Sequence, residues 1–200
     1  MSTGISDRLP APKEILPEAQ TEMVHGKIFP SMRCLCLLVL LLFPVVSWAA
    51  VVNSPELGFS ADFPINPEVD GPAPSERDNS GKILSNSVTY QTQTGNIMLT
   101  VVVETFTNPT KIDVASSLKA ERNNFVDGAA ASLTSSRVDT FEGYPATYFT
   151  FEVYRAKGRG LVVVQQKEIP KIYRVTAIYT RENEDSVEAV SRFMDSFRLN

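Results

Sequence analysis

Residues 144–180 read YPATYFTFEVYRAKGRGLVVVQQKEIPKIYRVTAIYT, and this run predicts three consecutive β-strands. Residues 144–155 alternate between two faces, with Phe149 and Phe151 on the same side, as is typical of a strand that covers a core. The glycines of residues 156–160 predict a chain reversal after this first strand. A second strand follows over residues 161–167, and a third, again alternating, over residues 172–180.

An amphipathic helix is predicted to close this unit. Its apolar residues recur at helical spacing and form one face: Val187, Val190, Met194 and Phe197. Asp185, with Glu188 three residues later, fits a capping box at the start of the helix. A helix with one apolar face has to cover another surface, and the preceding strands supply a sheet for it.

The chain before residue 144 predicts further strands and one more helix. The predicted elements are strands over 57–63, 82–93 and 97–106, a helix capped by Asp113 and running to about Asp127, and a strand over 132–141. Residues 65–81 are rich in Pro, Asp, Glu, Ser and Gly, which predicts a solvated loop. Short turns between consecutive strands require antiparallel pairing. We therefore expect residues 50–200 to form a single α+β domain, an antiparallel sheet flanked by helices.

Residues 32–49 have the pattern of a signal peptide. Arg33 is followed by an apolar run over residues 34–43, Pro44 breaks that run, and Ser47-Trp48-Ala49 fits a cleavage site. The interpretation is cleavage after Ala49 and an extracytoplasmic location, periplasmic or secreted. The alternative is an uncleaved anchor, because the apolar stretch approaches the roughly 20 residues that span a bilayer.

Residues 1–31 precede this signal without periodicity or a targeting pattern of their own. We interpret them as an over-extended, unstructured start, with Met32 as the initiator; Met23 is the other candidate.

Removal of the signal peptide would change which reactive side chains the protein contains. Residues 50–200 contain no Cys and no His, so thiol nucleophiles, Ser-His-Asp triads and zinc or haem sites with His or Cys ligands are excluded from that part. We predict no cofactor. The same residues hold 6 Lys and 9 Arg against 19 Asp and Glu, a net charge of −4. This acidic balance argues against nucleic acid as a partner.

Four acidic residues cluster at the start of the last predicted helix: Glu182, Glu184, Asp185 and Glu188. They could bind calcium or a basic partner. They could equally be solvated acids that interact favourably with the helix dipole.

Three charges fall inside predicted strands, where charge is least expected: Glu104, Glu152 and Arg174. An arginine can hydrogen-bond two carboxylates through its planar fork. We therefore expect Arg174 to form an ion pair with at least one of the two glutamates, and this patch to be the interaction surface. The alternative is three separate solvated side chains.

Short segments at both ends of the predicted domain suggest a family. Residues 58–64 read GFSADFP, residues 193–199 read FMDSFRL, and Glu142-Gly143-Tyr144-Pro145 forms a turn between them. The arrangement resembles the PsbP-like superfamily, which is named for the extrinsic protein of photosystem II. It is also similar to the Ran-binding nuclear-import relatives of that superfamily and to small exported bacterial proteins.

This resemblance implies a sheet between helices and a non-catalytic accessory or protein-binding role with a protein partner. It fixes no functional residue. A small-ligand or calcium-binding envelope protein and a carboxylate-based hydrolase are the alternatives.

Overall fold

Every strand pairing in the part of the chain that the computed structural model describes is antiparallel. The structure describes residues 50–180 and 182–200. Their elements are β1 (Ala50–Ser54), β2 (Phe59–Phe63), β3 (Glu68–Arg77), β4 (Ile83–Thr94), β5 (Ile97–Phe106), α1 (Val114–Gly128), β6 (Ser132–Phe141), β7 (Tyr144–Val153), β8 (Ala156–Gln165), β9 (Lys171–Tyr179), α2 (Glu184–Ser196) and β10 (Arg198–Leu199).

The strands form a large sheet and a small one. The large sheet has seven strands in the order β3-β4-β5-β9-β8-β7-β6, and the small sheet has the order β1-β2-β10. Helix α1 packs on β7 and β8, whereas α2 packs on β2, β5 and β9. The predicted α+β class, with an antiparallel sheet flanked by helices, is confirmed.

Strand β9 lies at the centre of the large sheet and contributes to both faces. Tyr173 and Val175 join the core under α2 and the small sheet, together with Phe59, Phe193 and Phe197. A second core lies under α1, where Leu118 of the helix packs with residues of β7, β8 and β9: Phe149, Phe151, Val162, Val164 and Ile172. The alternation of residues 172–180 therefore reflects two buried faces.

The predicted loop over residues 65–81 is wrong, because residues 68–77 form the edge strand β3. All ten residues of β3 are exposed, so neither face imposes an apolar alternation. Pro72 and Pro74 and several register shifts against β4 interrupt the strand. Proline is tolerated at a sheet edge, where its missing N–H need not join a ladder.

The reversal predicted at residues 156–160 is also wrong. The chain turns at Tyr154 and Arg155, where Tyr154 adopts a φ of 53°. Gly158 and Gly160 lie inside β8, opposite Phe151 and Phe149, and a Cβ at either glycine would overlap the ring of its partner. Glycine is needed here for close packing, not for a turn.

The two helices begin at different kinds of residue. Asp113 caps α1 as predicted, and its Oδ1 accepts a hydrogen bond from the Ser116 N–H at 3.2 Å. The capping box predicted for α2 is wrong. Asn183 is the cap, and its Oδ1 accepts from the Ser186 N–H at 2.9 Å.

Within the described ranges, neither helix is long and apolar enough to cross a membrane. The predicted signal peptide, residues 32–49, and the predicted over-extended start, residues 1–31, lie outside those ranges.

Replacing Gly160 with alanine should lower the free energy of unfolding by about 1–3 kcal/mol, because overpacking a well-packed core costs that much. The new Cβ would overlap the Phe149 ring. Urea unfolding followed by circular dichroism measures the change. Gly128→Ala is the control, since no atom lies within 4 Å of a Cβ there. Equal destabilisation by the two substitutions would contradict the packing explanation.

Candidate functional site

A cleft of about 470 Å³ opens between α1 and the strands β3, β4, β5 and β9. Its polar lining consists of Ser75, Glu76, Ser87, Glu104, Ser117, Glu121, Asn124 and Arg174. Its apolar lining consists of Val102, Phe106, Ala120 and Ile172. Three glutamates against one arginine make this cleft, which we call the acidic cleft, negatively charged.

Strand register places Glu104 and Arg174 in the same cleft. Arg174 lies opposite Val102 of β5, and Glu104 lies opposite Ile172 of β9. Because side chains alternate along a strand, residues two positions apart point to the same face. Both charges therefore face α1, on neighbouring central strands.

The partner of Arg174 is Glu121 of α1. Nη1 of Arg174 donates to Oε2 of Glu121 at 3.0 Å, and the two side chains are only 26% and 20% exposed. The guanidinium also lies 5.7 Å from the centre of the Phe125 ring, one helical turn further along. Helix α1 thus holds Arg174 through one carboxylate and one aromatic face.

Burial raises the pKa of Glu121 above the ordinary value of 4.5. Arg174 opposes this shift, while the charges of Glu104 and Glu76 add to it. One arginine therefore does not compensate the negative charge of the acidic cleft.

Glu104 is held by hydroxyl groups. Its Oε1 accepts from Oγ of Ser75 at 2.8 Å and from Oγ of Ser85, which is fully buried. The two serines come from β3 and β4, so the carboxylate links three adjacent strands. Two hydroxyl groups, and not an arginine, therefore hold Glu104.

The predicted ion pair of Arg174 with Glu104 or Glu152 is wrong. Glu152 lies in β7 opposite Lys157, on the sheet face that carries Tyr179 and α2, so it cannot reach the acidic cleft. Glu104 shares the cleft, but Arg174 pairs with Glu121. Strand charges alone could not reveal this, because the partner is on a helix 53 residues away.

Sequence reasoning missed Glu121, Glu76 and the two serines that hold Glu104. The only available signal for Glu121 was its position three residues after the buried Leu118, which places it beside the sheet-facing side of α1. Glu76 gave no signal, because it lies in the strand that was predicted to be a loop.

The acidic residues at the start of α2 do not converge. Glu182 forms an exposed ion pair with Lys157 at 2.5 Å, with side chains 56% and 50% exposed. Residues 50–180 and 182–200 contain no group of three or more His, Cys, Asp or Glu that could hold a metal ion. The structure thus gives the calcium interpretation no support.

The architecture defines an α+β domain in which one antiparallel sheet has a helix on each face. It is similar to cyanobacterial PsbP (CyanoP) from Synechocystis sp. PCC 6803, whose solution structure superposes with a TM-score of 0.51. The match covers 78% of this chain and 94% of that chain at 10% sequence identity. No protein-family profile and no curated protein matches the chain. The resemblance to a PsbP-like fold is confirmed, and identity this low shows the fold alone.

Replacing Arg174 with methionine, which keeps an apolar stem, should destabilise the fold at pH 7. The free energy of unfolding should fall by about 1.5–3 kcal/mol, which is typical of hydrogen bonds to charged groups, because Glu121 would be buried without its cation. Chemical unfolding followed by circular dichroism measures it. Lys157→Met removes the exposed pair with Glu182 and should leave the unfolding midpoint almost unchanged.

The loss of folding stability in the Arg174→Met variant should depend on pH. A carboxyl whose pKa is raised on folding stabilises the fold when protonated, and this stabilisation disappears as pH rises through the raised pKa. The pKa of Glu121 is raised from 4.5, and removal of Arg174 would raise it further. The difference in the free energy of unfolding between the wild type and the variant should therefore become smaller as pH falls toward 4.5. A difference independent of pH would show that Glu121 is not the group responsible.

Proposed function

We propose that this protein is a non-catalytic accessory domain that acts outside the cytoplasm and binds a protein partner through the acidic cleft. The observation that carries the proposal is the uncompensated charge of that cleft, three glutamates against one arginine. The PsbP-like fold and the absence of Cys and His from residues 50–200 are consistent with it.

The acidic cleft suits a basic side chain of the partner. Arg174 is already engaged by Glu121 and Phe125, so it does not neutralise Glu76 or Glu104. Burial raises the pKa of Glu121, and the charges of Glu104 and Glu76 add to this shift; a lysine or arginine entering the cleft would offset their repulsion. Its aliphatic stem could pack on Val102 and Ile172, because long cationic side chains carry an apolar stem.

Affinity capture from a native envelope extract tests the site. The wild-type protein should recover a partner with a basic binding segment, and added salt should reduce recovery because it screens exposed charges. Glu104→Gln should weaken recovery; its side-chain oxygen can still accept from Ser75 and Ser85.

Glu152→Gln is the matched control, because it removes a strand glutamate from the opposite sheet face. It should leave recovery at the wild-type level. Equal recovery by both variants would remove the acidic cleft from the proposal.

Export is tested separately, because it rests on residues 32–49. Expression of the full chain in an exporting bacterium, followed by amino-terminal sequencing, should give a product that starts at Ala50. A product that keeps residues 32–49 in the membrane fraction would favour an uncleaved anchor. A product that remains in the cytoplasm would contradict the proposed location.

The acidic cleft also gives a specific reason to test a hydrolase. It contains three carboxylates, Glu76, Glu104 and Glu121, and burial raises the pKa of Glu121, as a general acid requires. We favour binding because Glu121 is engaged by Arg174 and Glu104 by two serines. Glycoside hydrolysis by the wild type that disappears in Glu121→Gln would overturn the non-catalytic proposal.

A calcium-dependent rise in the melting temperature would instead favour the calcium-binding alternative.

A further inference from the structure

The two edges of the seven-stranded sheet differ in their ability to accept another strand. At one edge, β3 carries Pro72 and Pro74 and shifts register repeatedly against β4. At the other edge, β6 contains no proline, and its last seven residues, 135–141, pair with β7 without a register shift. Among the described strands, β6 pairs only with β7.

Strand β6 is also largely open to solvent, with nine of its ten residues exposed. The outer row of N–H and C=O groups on an edge strand is a template for a further strand. The prolines and bulges of β3 are devices that natural sheets use to block such pairing. Residues 135–141 lack both devices.

We propose that residues 135–141 form a homodimer interface, in which β6 of two copies pair antiparallel about a two-fold axis at Val138. Val138 is the middle residue of this regular segment, which a bulge between Leu133 and Ser135 ends on one side and a tight turn on the other. Antiparallel pairing about Val138 therefore uses the whole segment in both copies.

The charges of β6 are complementary in this register. Val138 would face Val138 of the second copy, and Arg137 would face Asp139 of the second copy on each side of the axis. Arg137 and Asp139 share one face of the strand. In a single copy, Nη2 of Arg137 lies 3.3 Å from Oδ2 of Asp139, and the two side chains are 70% and 48% exposed. Both can thus turn to the second copy without a change in the backbone.

Val138 adds an apolar contact on the other face of the strand. It is 73% exposed in a single copy, so most of its surface is free to be covered by a second copy. In the proposed register the two valines would meet across the axis and cover each other.

Adjacent symmetric registers are disfavoured by the same charges. An axis at Arg137 would place two arginines directly opposite each other, and an axis at Asp139 would place two aspartates opposite each other. Like charges in direct cross-strand positions are destabilising. Registers shifted by one residue are excluded as well, since they pair side chains that point to opposite faces.

Charge exchange tests both the dimer and its register. Arg137→Asp and Asp139→Arg each place like charges opposite each other, so each variant should be monomeric by sedimentation equilibrium while the wild type forms a dimer. An equimolar mixture of the two variants restores opposite charges at every position and should dimerise. Circular dichroism confirms that each variant is folded. A monomeric wild type at all concentrations, or a mixture that stays monomeric, would overturn the proposal.

Cysteine cross-linking tests the position of the axis. In a full-length chain with Cys34→Ser and Cys36→Ser, Val138→Cys would face itself across the axis. Paired residues in antiparallel strands have Cα atoms about 4.5–5.5 Å apart, which a disulfide can bridge.

Thr140→Cys is the matched control. Thr140 lies on the same face of the strand as Val138, but in this register it faces Ser136 of the second copy and not Thr140. Mild oxidation should convert Val138→Cys to a covalent dimer and leave Thr140→Cys a monomer on a non-reducing gel. Equal cross-linking of the two variants, or none with Val138→Cys, would contradict an axis at Val138.

Discussion

The structure depends on the antiparallel pairing of β9 with β5 on one side and β8 on the other. Every residue of β9 has a partner on both neighbours, from Lys171 to Tyr179. One set of alternate residues, which includes Tyr173 and Val175, holds the core under α2 and the small sheet. The other set faces α1. A single strand thereby joins both cores and cannot change register without disrupting each of them.

The acidic cleft follows from one polar residue in this central strand. Helix α1 packs on β7 and β8 over Phe149 and Phe151, which leaves the sheet less covered toward β4 and β3. Arg174 lies at this boundary, where its guanidinium requires a partner, and Glu121 supplies it. The uncovered strands beyond it carry serines and glutamates in place of apolar residues. The site is thus a gap in the α1 layer that polar side chains line.

Much of the fold could be predicted from the sequence because burial leaves a periodic pattern. The strands of residues 144–180 carry this pattern, whereas Asp113 is a separate local signal, a carboxylate that caps a helix. Strand β3 has no buried face and leaves no apolar pattern, so its sequence predicts a loop. Gly158 and Gly160 predict a turn from the sequence alone, because their contact with two rings on the neighbouring strand has no local signal. The partner of Arg174 could not be predicted, because the rotation of α1 over the sheet is set by packing between distant segments.

Residue-resolved native-state hydrogen exchange tests the central role of β9 most directly. Amides that open only in global unfolding exchange slowest, whereas those at frayed edges exchange through local opening. Amides of β9, and those of β5 and β8 bonded to it, should exchange slowest and with a common free energy of opening. Amides of β3 should exchange much faster. Exchange in β9 as fast as that in β3 would contradict the conclusion that the two cores are joined through this strand.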